Sequence, residues 1–367
     1  HCSNKPARRH GVERSAGSNR HGDMTESQSD KVLIIAEAGV NHDGDLNQAL
    51  KLVDVAADAG ADIVKFQSFH ASALATSEAE LAHYQRTGGV SEKNGGAGDQ
   101  LALLERVQLS RDDHLVLMRH CAEKSIEFFS TAFDFGSLQL LSDLGVRRFK
   151  IPSGEITNLP LMRRIASFGE EVIVSTGMAE LSEVGAAIES LEIAGLPKEK
   201  ITLLHCTTEY PAPIQDVNLH AMGAMASKFD VRVGYSDHTE GVEVAIAAVA
   251  LGAKVIEKHF TLDQNLPGPD HRASLEPVDL ELMVSAIRKI ESALGSDQKK
   301  CTSSEKKNVP LVRKSIVAAR SIQEGEAFTE ENLTVKRPGT GLSPMLWDSV
   351  LGRRASRSFQ IDERITL

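Results

Sequence analysis

Aromatic residues, cysteines and long apolar runs are scarce in this chain. Phe, Trp and Tyr together make up only 4% of its 367 residues, too few for the stacking platforms that bind single-stranded nucleic acid. No apolar run reaches the roughly 20 residues that a membrane-spanning helix needs. The formal charge of −10 disfavours nucleic acid and anionic membranes as partners. We therefore expect neither a nucleic acid nor a membrane partner.

The few cysteines indicate a reducing compartment. The chain has four, Cys2, Cys121, Cys206 and Cys301, and they share no metal-ligand spacing. This usage is typical of a cytoplasmic protein and not of a disulfide framework. Residues 1–23 are basic and lack the apolar segment of a secretory signal. We expect Met24 to be the native start and residues 1–30 to form a disordered extension.

Short apolar runs alternate with helical patterns over residues 31–294. The amphipathic stretches include 46–60 and 241–252. Near-continuous apolar strands separated by helices indicate parallel strands that are buried on both faces. Eight such units predict an α/β fold, a (β/α)8 TIM barrel. An open doubly wound sheet is the second alternative for the fold, and it is less favoured because no GxGxxG motif follows the first apolar run. The apolar runs lie at 32–39, 61–69, 127–134, 146–155, 171–178, 201–211, 231–239 and 253–262.

The rest of the chain differs in character from the predicted barrel. Residues 295–310 are polar and rich in Lys and Ser, which predicts a linker. Residues 311–367 contain KSIVAARSI, LTVKRPG and RITL, read as short strands of a small, mostly-β domain. Residues 71–108 are predicted to form an inserted loop over the barrel mouth.

Polar side chains end the eight predicted strands, where a TIM barrel carries its active site. Strand alternation predicts that Lys65 with Gln67, Ser236 with His238, and Glu257 with His259 point into the barrel. By the same alternation Lys258 points outward. His205 is expected to face the barrel and Cys206 to pack in the core, which argues against a thiol–imidazole nucleophile.

Two chemistries are indicated by these strand ends. His238 and His259, with Glu37 and Glu257 in the same ring, suit a divalent transition metal; the alternative is that each is a hydrogen-bonded strand-end histidine. A ring of hydroxyl and ammonium groups suits a phosphate-like dianion. That second group is Lys65, Thr131, Lys150, Ser153, Ser175 and Ser236.

Nine ordered motifs resemble the sialic acid synthase family. They are AEAGVNHDG (36–44), VKFQSF (64–69), KIPSGE (150–155), STGM (175–178), LHCTTEYP (204–211), GYSDHT (234–239), EKHFTLD (257–263), GPDHRASLEP (268–277) and VKRPGTGLSP (335–344). The resemblance implies a (β/α)8 barrel followed by a C-terminal antifreeze-like (SAF) domain. It also implies condensation of phosphoenolpyruvate with an N-acylated mannosamine.

The resemblance implies a role for each matching residue. His238 and His259 would hold a divalent metal, typically Mn²⁺, with Glu37 close by and Glu155 in proton handling. Phosphoenolpyruvate would contact Lys65, Thr131, Lys150, Ser153, Ser175 and Ser236. The open-chain sugar would contact Gln67, Tyr210 and Asp270. Arg337 would reach the acyl group of a neighbouring protomer in a domain-swapped homodimer.

The expected activity is that of N-acetylneuraminate synthase, with N-acetylmannosamine as the sugar. One alternative is the same reaction on 2,4-diacetamido-2,4,6-trideoxymannose, which gives N,N'-diacetyllegionaminate. A more distant alternative is a non-catalytic carbohydrate-binding protein, suggested by the C-terminal domain alone. By the same resemblance, Thr208 stands where some N-acetylneuraminate synthases carry Asn, and Thr340 stands where many family members do. Both departures bear on the identity of the sugar.

Overall fold

Eight parallel strands dominate the computed structural model, which describes residues 31–74 and 100–367. The predicted extension 1–30 and residues 75–99 of the predicted inserted loop lie outside these ranges. The described chain divides into two units, the first ending at Gly295 and the second spanning Ser296–Leu367.

All eight predicted strands of the first unit are present. The apolar runs form their cores, and the polar residues beyond them begin the loops. The strands are β1 (Leu33–Gly39), β2 (Ile63–Ser68), β3 (Glu127–Ala132), β4 (Arg148–Ile151), β5 (Glu171–Ser175), β6 (Ile201–His205), β7 (Arg232–Asp237) and β8 (Val255–His259).

Helices follow each of these strands, so the unit is a (β/α)8 barrel. Several begin at side-chain caps: Asp45 accepts from the Asn47 amide, and Asp134 from the Ser137 amide. The helices are α1 (Leu46–Asp58), α2 (Ala71–Leu74), α3 (Gln100–Val107), α4 (Arg111–Glu123), α5 (Phe135–Asp143), α6 (Leu159–Ala166), α7 (Leu181–Ile193), α8 (His220–Phe229), α9 (Glu243–Ala250) and α10 (Pro277–Leu294).

The strand order is β3-β2-β1-β8-β7-β6-β5-β4, and the two end strands β3 and β4 lie side by side. Paired residues of parallel strands face the same side of the sheet. Glu37 pairs with Lys65 on one flank and with His259 on the other, so these three side chains point into the barrel together. The barrel core is a single apolar cluster that includes Ile34, Phe66 and Leu203.

The prediction for residues 71–108 is wrong at both ends, which are helical rather than looped. Helix α2 starts directly after β2, and α3 precedes α4. In α3 the side chains of Leu103 and Val107 are buried. Their spacing of four residues is a helical repeat, and that apolar face stabilises the helix.

The second unit has its own small core, formed by Ile316, Phe328, Leu333, Val350 and Phe359. It contains an antiparallel pair, β9 (Ser315–Ala318) with β10 (Leu333–Lys336). Three short helices accompany it, α11 (Ser303–Lys306), α12 (Val309–Val312) and α13 (Trp347–Val350). Thus α11 and the start of α12 lie within the predicted linker 295–310.

The closing RITL segment was predicted as a strand, and that prediction is wrong. Arg364 forms an isolated antiparallel bridge with Val317, and the Ile365 amide donates to the Ile316 carbonyl at 3.0 Å. The pairing stays an isolated bridge and does not extend into a strand. Ile365 is nevertheless buried, which explains the apolar pattern.

Candidate active site

A cavity of about 440 Å³ lies at the carboxyl ends of the barrel strands. Thirteen of the fourteen residues predicted for the site line it: Glu37, Lys65, Gln67, Thr131, Lys150, Ser153, Glu155, Ser175, Tyr210, Ser236, His238, His259 and Asp270. The three inward pairs predicted from alternation are all present. The roles of these residues stay predictions, but their convergence is a property of the fold.

Arg337 is the fourteenth predicted residue, and it belongs to the other unit. Its side chain is exposed, and Nε donates to the Val312 carbonyl at 3.0 Å. Its predicted contact with a neighbouring protomer's substrate stays a prediction.

A buried ion network occupies the floor of the cavity. Lys150 Nζ donates to both carboxylate oxygens of Glu257, at 2.7 and 2.9 Å. Lys65 Nζ lies 2.8 Å from Glu37 Oε2 and 3.3 Å from Glu257 Oε2. It also donates to Thr131 Oγ1 at 2.9 Å. Each charge is therefore compensated, as buried charges must be.

The two carboxylates of this network differ in acidity. Burial raises the pKa of Glu37 to about 7, an effect that Lys65 opposes and the charge of Glu257 reinforces. Burial also disfavours the charge on Glu257, but Lys150 and Lys65 outweigh it and lower the pKa of that carboxyl. At neutral pH Glu257 is thus ionised, whereas Glu37 is close to its midpoint. Because burial disfavours the charge on Glu37, the two ammonium groups face less negative charge than two ionised carboxylates would supply, which suits an anionic ligand.

The two histidines lie together at the ends of β7 and β8, with ring centroids 5.7 Å apart. His238 Nδ1 lies 2.6 Å from the Thr207 carbonyl. A carbonyl only accepts, so Nδ1 carries the proton and Nε2 keeps its lone pair. His259 Nδ1 is buried and has no hydrogen-bond partner among the described residues. The ring of Tyr210 packs 4.1 Å from that of His238.

Both histidines are neutral, because burial lowers the pKa of His238 to about 4 and that of His259 well below its usual value. Neutral imidazoles with a free ring nitrogen are metal ligands. Within the described ranges, no group of three or more His, Cys, Asp or Glu has the arrangement of a metal site. A cation held here would therefore take two imidazoles from the protein and its other ligands from water or substrate.

Gly39 keeps the space between Glu37 and His259 open. Its φ is +54°, and a Cβ there would lie 3.4 Å from Glu37 Oε1 and 3.3 Å from His259 Cε1. Glycine adopts this left-handed conformation without the steric cost of a side chain.

On the opposite wall, Ser153 accepts a hydrogen bond from the Gly177 amide at 3.0 Å and lies 3.2 Å from Cys206 Sγ. A Cβ on Gly177 would lie 2.2 Å from Thr208 Oγ1 and 2.7 Å from Ser153 Oγ. Glycine is thus required for this close approach. Ser175 lines the same wall.

The prediction for His205 and Cys206 is reversed in the structure. Cys206 lines the cavity, whereas His205 lies 2.7 Å, through Nε2, from the Val217 carbonyl outside it. His205 pairs with Tyr235, and Leu204 pairs with Ser175. Ser175 faces the cavity, so Leu204 faces inward, His205 outward and Cys206 inward again. Burial raises the pKa of the Cys206 thiol, which keeps it protonated.

Lys258 points outward, as predicted. Its Nζ donates to Asp237 Oδ2 at 2.8 Å and to the Thr239 carbonyl at 2.7 Å. This ion pair ties β8 to β7 outside the cavity. His238 follows Asp237 and Glu257 precedes Lys258, so both of these neighbours face the cavity.

Glu257, Cys206 and Thr208 also line the cavity; alternation predicts the inward direction of Glu257, but no binding or catalytic role was predicted for any of the three. Glu257 carried a signal, since it stands two residues before His259 on the same strand face. Thr208 Oγ1 is buried without a hydrogen-bond partner among the described residues. An apolar wall was also missed: Val40, Leu74, Leu103, Leu104, Val107 and Phe133.

Lysines, carboxylates and histidines thus converge at the mouth of a parallel (β/α)8 barrel, the place where such barrels carry their active sites. The sequence model of the NeuB family matches residues 52–299, and that of the SAF domain matches residues 313–367. The chain belongs to the NeuB family, which confirms the resemblance and the predicted fold class.

Three similar proteins illustrate the family. An N,N'-diacetyllegionaminic acid synthase of Campylobacter jejuni is 50% identical over 91% of this chain and 99% of its own length. The enzyme of the same name from Legionella pneumophila is 44% identical over 93% and 95%. The crystal structure of the N-acetylneuraminic acid (sialic acid) synthetase of Leptospira borgpetersenii, in complex with citrate, is 35% identical, covers 76% of this chain and 90% of its own, and has a TM-score of 0.64.

Replacing Glu257 by Gln tests the ion network. The change leaves two buried ammonium groups undercompensated, so we expect it to destabilise the barrel by about 3–5 kcal/mol and to lower its Tm in calorimetry. Glu240→Gln is the matched control, because Glu240 is exposed and surface changes stay within about 0.5 kcal/mol. Equal Tm values for the two variants would contradict the network's role.

Proposed function

We propose that this chain is an N,N'-diacetyllegionaminic acid synthase. It would condense phosphoenolpyruvate with 2,4-diacetamido-2,4,6-trideoxymannose and water, releasing phosphate. The observation that carries this proposal is that relatives 50% and 44% identical bear that name, while the sialic acid synthetase is 35% identical. The comparisons thus favour the alternative of the sequence analysis over N-acetylmannosamine.

The apolar wall of the cavity supports the same sugar. Val40, Leu103, Leu104, Val107 and Phe133 present no hydrogen-bonding side chain to the cavity. The proposed sugar carries a 6-methyl group, where N-acetylmannosamine carries a hydroxyl. A methyl group gains from contact with apolar side chains, whereas a buried hydroxyl without a partner loses free energy.

Phosphoenolpyruvate would bind at the cavity floor. Lys65 and Lys150 supply the positive charge, and the hydroxyl donors are Thr131, Ser153, Ser175 and Ser236. Both ammonium groups contact Glu257. A bound dianion would share these ammonium groups with Glu257, and none of the three buried charged groups would have to leave the barrel.

His238 and His259 would hold the divalent metal, Mn²⁺ in our proposal, next to the Glu37 carboxylate. When bound, such a cation supplies Lewis-acid polarisation of an aldehyde oxygen. The donor set fits, because both imidazoles are neutral and one ring nitrogen of each is available. The Thr207 carbonyl fixes the tautomer of His238 by accepting from Nδ1.

The reaction forms one carbon–carbon bond. C3 of the enol phosphate attacks the aldehyde carbon, water adds at C2, and the C2–oxygen bond to phosphate breaks. Lys65 and Lys150 would stabilise the negative charge of the phosphate. Glu155 would handle a proton; its Oε2 accepts from Asn158 Nδ2 at 2.6 Å, which orients the carboxylate.

The open-chain sugar would contact Gln67, Tyr210 and Asp270 above this floor. Burial raises the pKa of Asp270 to about 6; Asp43 reinforces the shift, whereas His271 opposes it. The carboxylate therefore accepts hydrogen bonds from sugar hydroxyls above that pH and loses this capacity as the pH falls through it.

We also propose a cytoplasmic homodimer in which Arg337 completes the site of a neighbouring protomer. Cys121, Cys206 and Cys301 are free, and Cys301 is exposed, which suits a reducing compartment. None of the described helices is long and apolar enough to cross a bilayer. Arg337 is exposed and forms no ion pair among the described residues, so its guanidinium is available to a substrate acyl group.

The sugar assignment is tested by kcat/KM for both sugars at saturating phosphoenolpyruvate and Mn²⁺, with phosphate release as the readout. We expect a preference of about tenfold or more for the diacetamido sugar, as one well-placed apolar contact supports. Leu104→Ser should reduce that preference, whereas Leu115→Ser, exposed on α4, should not. Preference for N-acetylmannosamine would overturn the substrate and leave the reaction class standing.

The metal assignment is tested by elemental analysis after reconstitution with Mn²⁺. We expect His238→Ala and His259→Ala to retain much less Mn²⁺ than the wild-type protein, and chelation to abolish turnover until Mn²⁺ is restored. His205→Ala is the matched control, because His205 ends a strand but lies outside the cavity. Full turnover in verified metal-free buffer would refute the assignment.

The dimer assignment is tested by mixing inactive variants. Arg337→Ala and Lys65→Ala chains, after subunit exchange, should regain about a quarter of wild-type activity, since half of the dimers are hybrids with one intact site. A mixture of Lys65→Ala and Lys150→Ala chains should regain no activity, because each chain then carries a change in its own barrel and no hybrid dimer has an intact site. An active monomer in sedimentation would exclude the shared site.

A further inference from the structure

The loops that follow β1 and β8 are joined by a polar network beside the cavity. Asp43 Oδ2 lies 3.0 Å from His271 Nε2, and His271 is fully buried. A carboxylate only accepts, so His271 donates through Nε2. The other ring nitrogen, Nδ1, lies 2.7 Å from Thr261 Oγ1. The imidazole is thus fixed at both ends.

Gly268 shows how closely the β8 loop passes over this pair. A Cβ at Gly268 would lie 2.6 Å from Asp43 Oδ1 and 2.6 Å from His271 Cδ2. No side chain fits there without displacing the pair. The backbone from Gly268 to His271 therefore rests directly on the Asp43–His271 contact, and Asp270 lies within this stretch.

A second link leads from the β1 loop to Asp270. Asn41 Nδ2 donates to Ser274 Oγ at 2.9 Å and to the Phe260 carbonyl at 2.8 Å. Ser274 Oγ in turn donates to the Asp270 carbonyl at 2.6 Å. The β1 loop thus holds the β8 loop on both sides of Asp270, through Asp43 and through Asn41.

Asp270 lines the cavity, whereas Asn41, Asp43, His271 and Ser274 do not. From this geometry we infer that Asp43, acting through His271, is a positioning residue that holds the Asp270 carboxylate at the sugar end of the cavity. Ser274 shares this role through the Asp270 carbonyl. The inference rests on the proposed function, in which Asp270 binds the sugar. Phosphoenolpyruvate, at the lysine end, lies outside the reach of this contact.

The test compares Asp43→Ala with Asp43→Asn in the full chain. Alanine removes the acceptor of the His271 proton, whereas asparagine keeps an oxygen acceptor of the same shape. We expect Asp43→Ala to raise the KM for the sugar by about tenfold or more, with the KM for phosphoenolpyruvate within about twofold of wild type. Asp43→Asn should restore the sugar KM. Asp112→Ala, exposed on α4, is the matched control.

Hydrogen exchange of residues 264–274 gives a readout independent of turnover. It should increase in Asp43→Ala and stay near wild type in Asp43→Asn. Unchanged exchange, or equal increases in both KM values, would overturn the inference. If Asp43→Ala fails to fold, Ser274→Ala decides by the same two readouts. A wild-type protein that releases no phosphate with either sugar would refute the proposed function, while the exchange comparison would still show whether Asp43 holds the loop.

Discussion

The ion pair between Lys150 and Glu257 crosses the interior of the barrel, and the geometry of the cavity depends on it. Lys150 is on β4 and Glu257 on β8, four strands apart in either direction around the barrel. Their 2.7 Å contact therefore joins opposite sides of the barrel. Lys65 on β2 and Ser236 on β7 join the same carboxylate. Because an uncompensated charge costs several kcal/mol at such depth, these strands must reach their register together.

That constraint also separates two environments within one cavity. Positive charge is concentrated where Lys65 and Lys150 meet, and Glu257 balances it. His238 and His259 lie at the neighbouring strand ends, where burial keeps both rings neutral. The proposed anion would therefore lie beside the lysines, and the proposed cation would lie beside the histidines, in adjacent parts of the cavity. Glu37 contacts Lys65 and lies close to His259, and with a pKa of about 7 its charge responds to changes at either place.

The fold and most of the cavity were predictable because the period of a strand is visible in its sequence. Alternation alone predicts that Lys65 and Gln67 face the barrel interior together and that Lys258 points outward, without any information about how the strands pair. Alternation alone does not say which of two successive residues faces the cavity, because that depends on the strands with which a strand pairs. For this reason the predicted directions of His205 and Cys206 were reversed. Alternation predicts that Glu257 faces the barrel, but not its ion pair with Lys150, which lies 107 residues away in sequence. The helix α3 and its apolar side chains were missed because they directly follow GGAGD (95–99), a glycine-rich turn signal that favours a loop.

The proposed function assigns catalysis and sugar selection to different parts of this chain. The ion network and the histidines stand on strands, whose positions the barrel fixes. Asp270 lies on the β8 loop, and the apolar wall lies on α3, on the end of α2 and on the residues that follow β1 and β3. Such segments can vary without disturbing the strand register. Relatives can therefore share the reacting floor and differ in the sugar they take. The motifs on strands indicate the reaction, whereas side chains such as Leu104, which we propose to contact the sugar, follow no strand pattern and are not visible in those motifs.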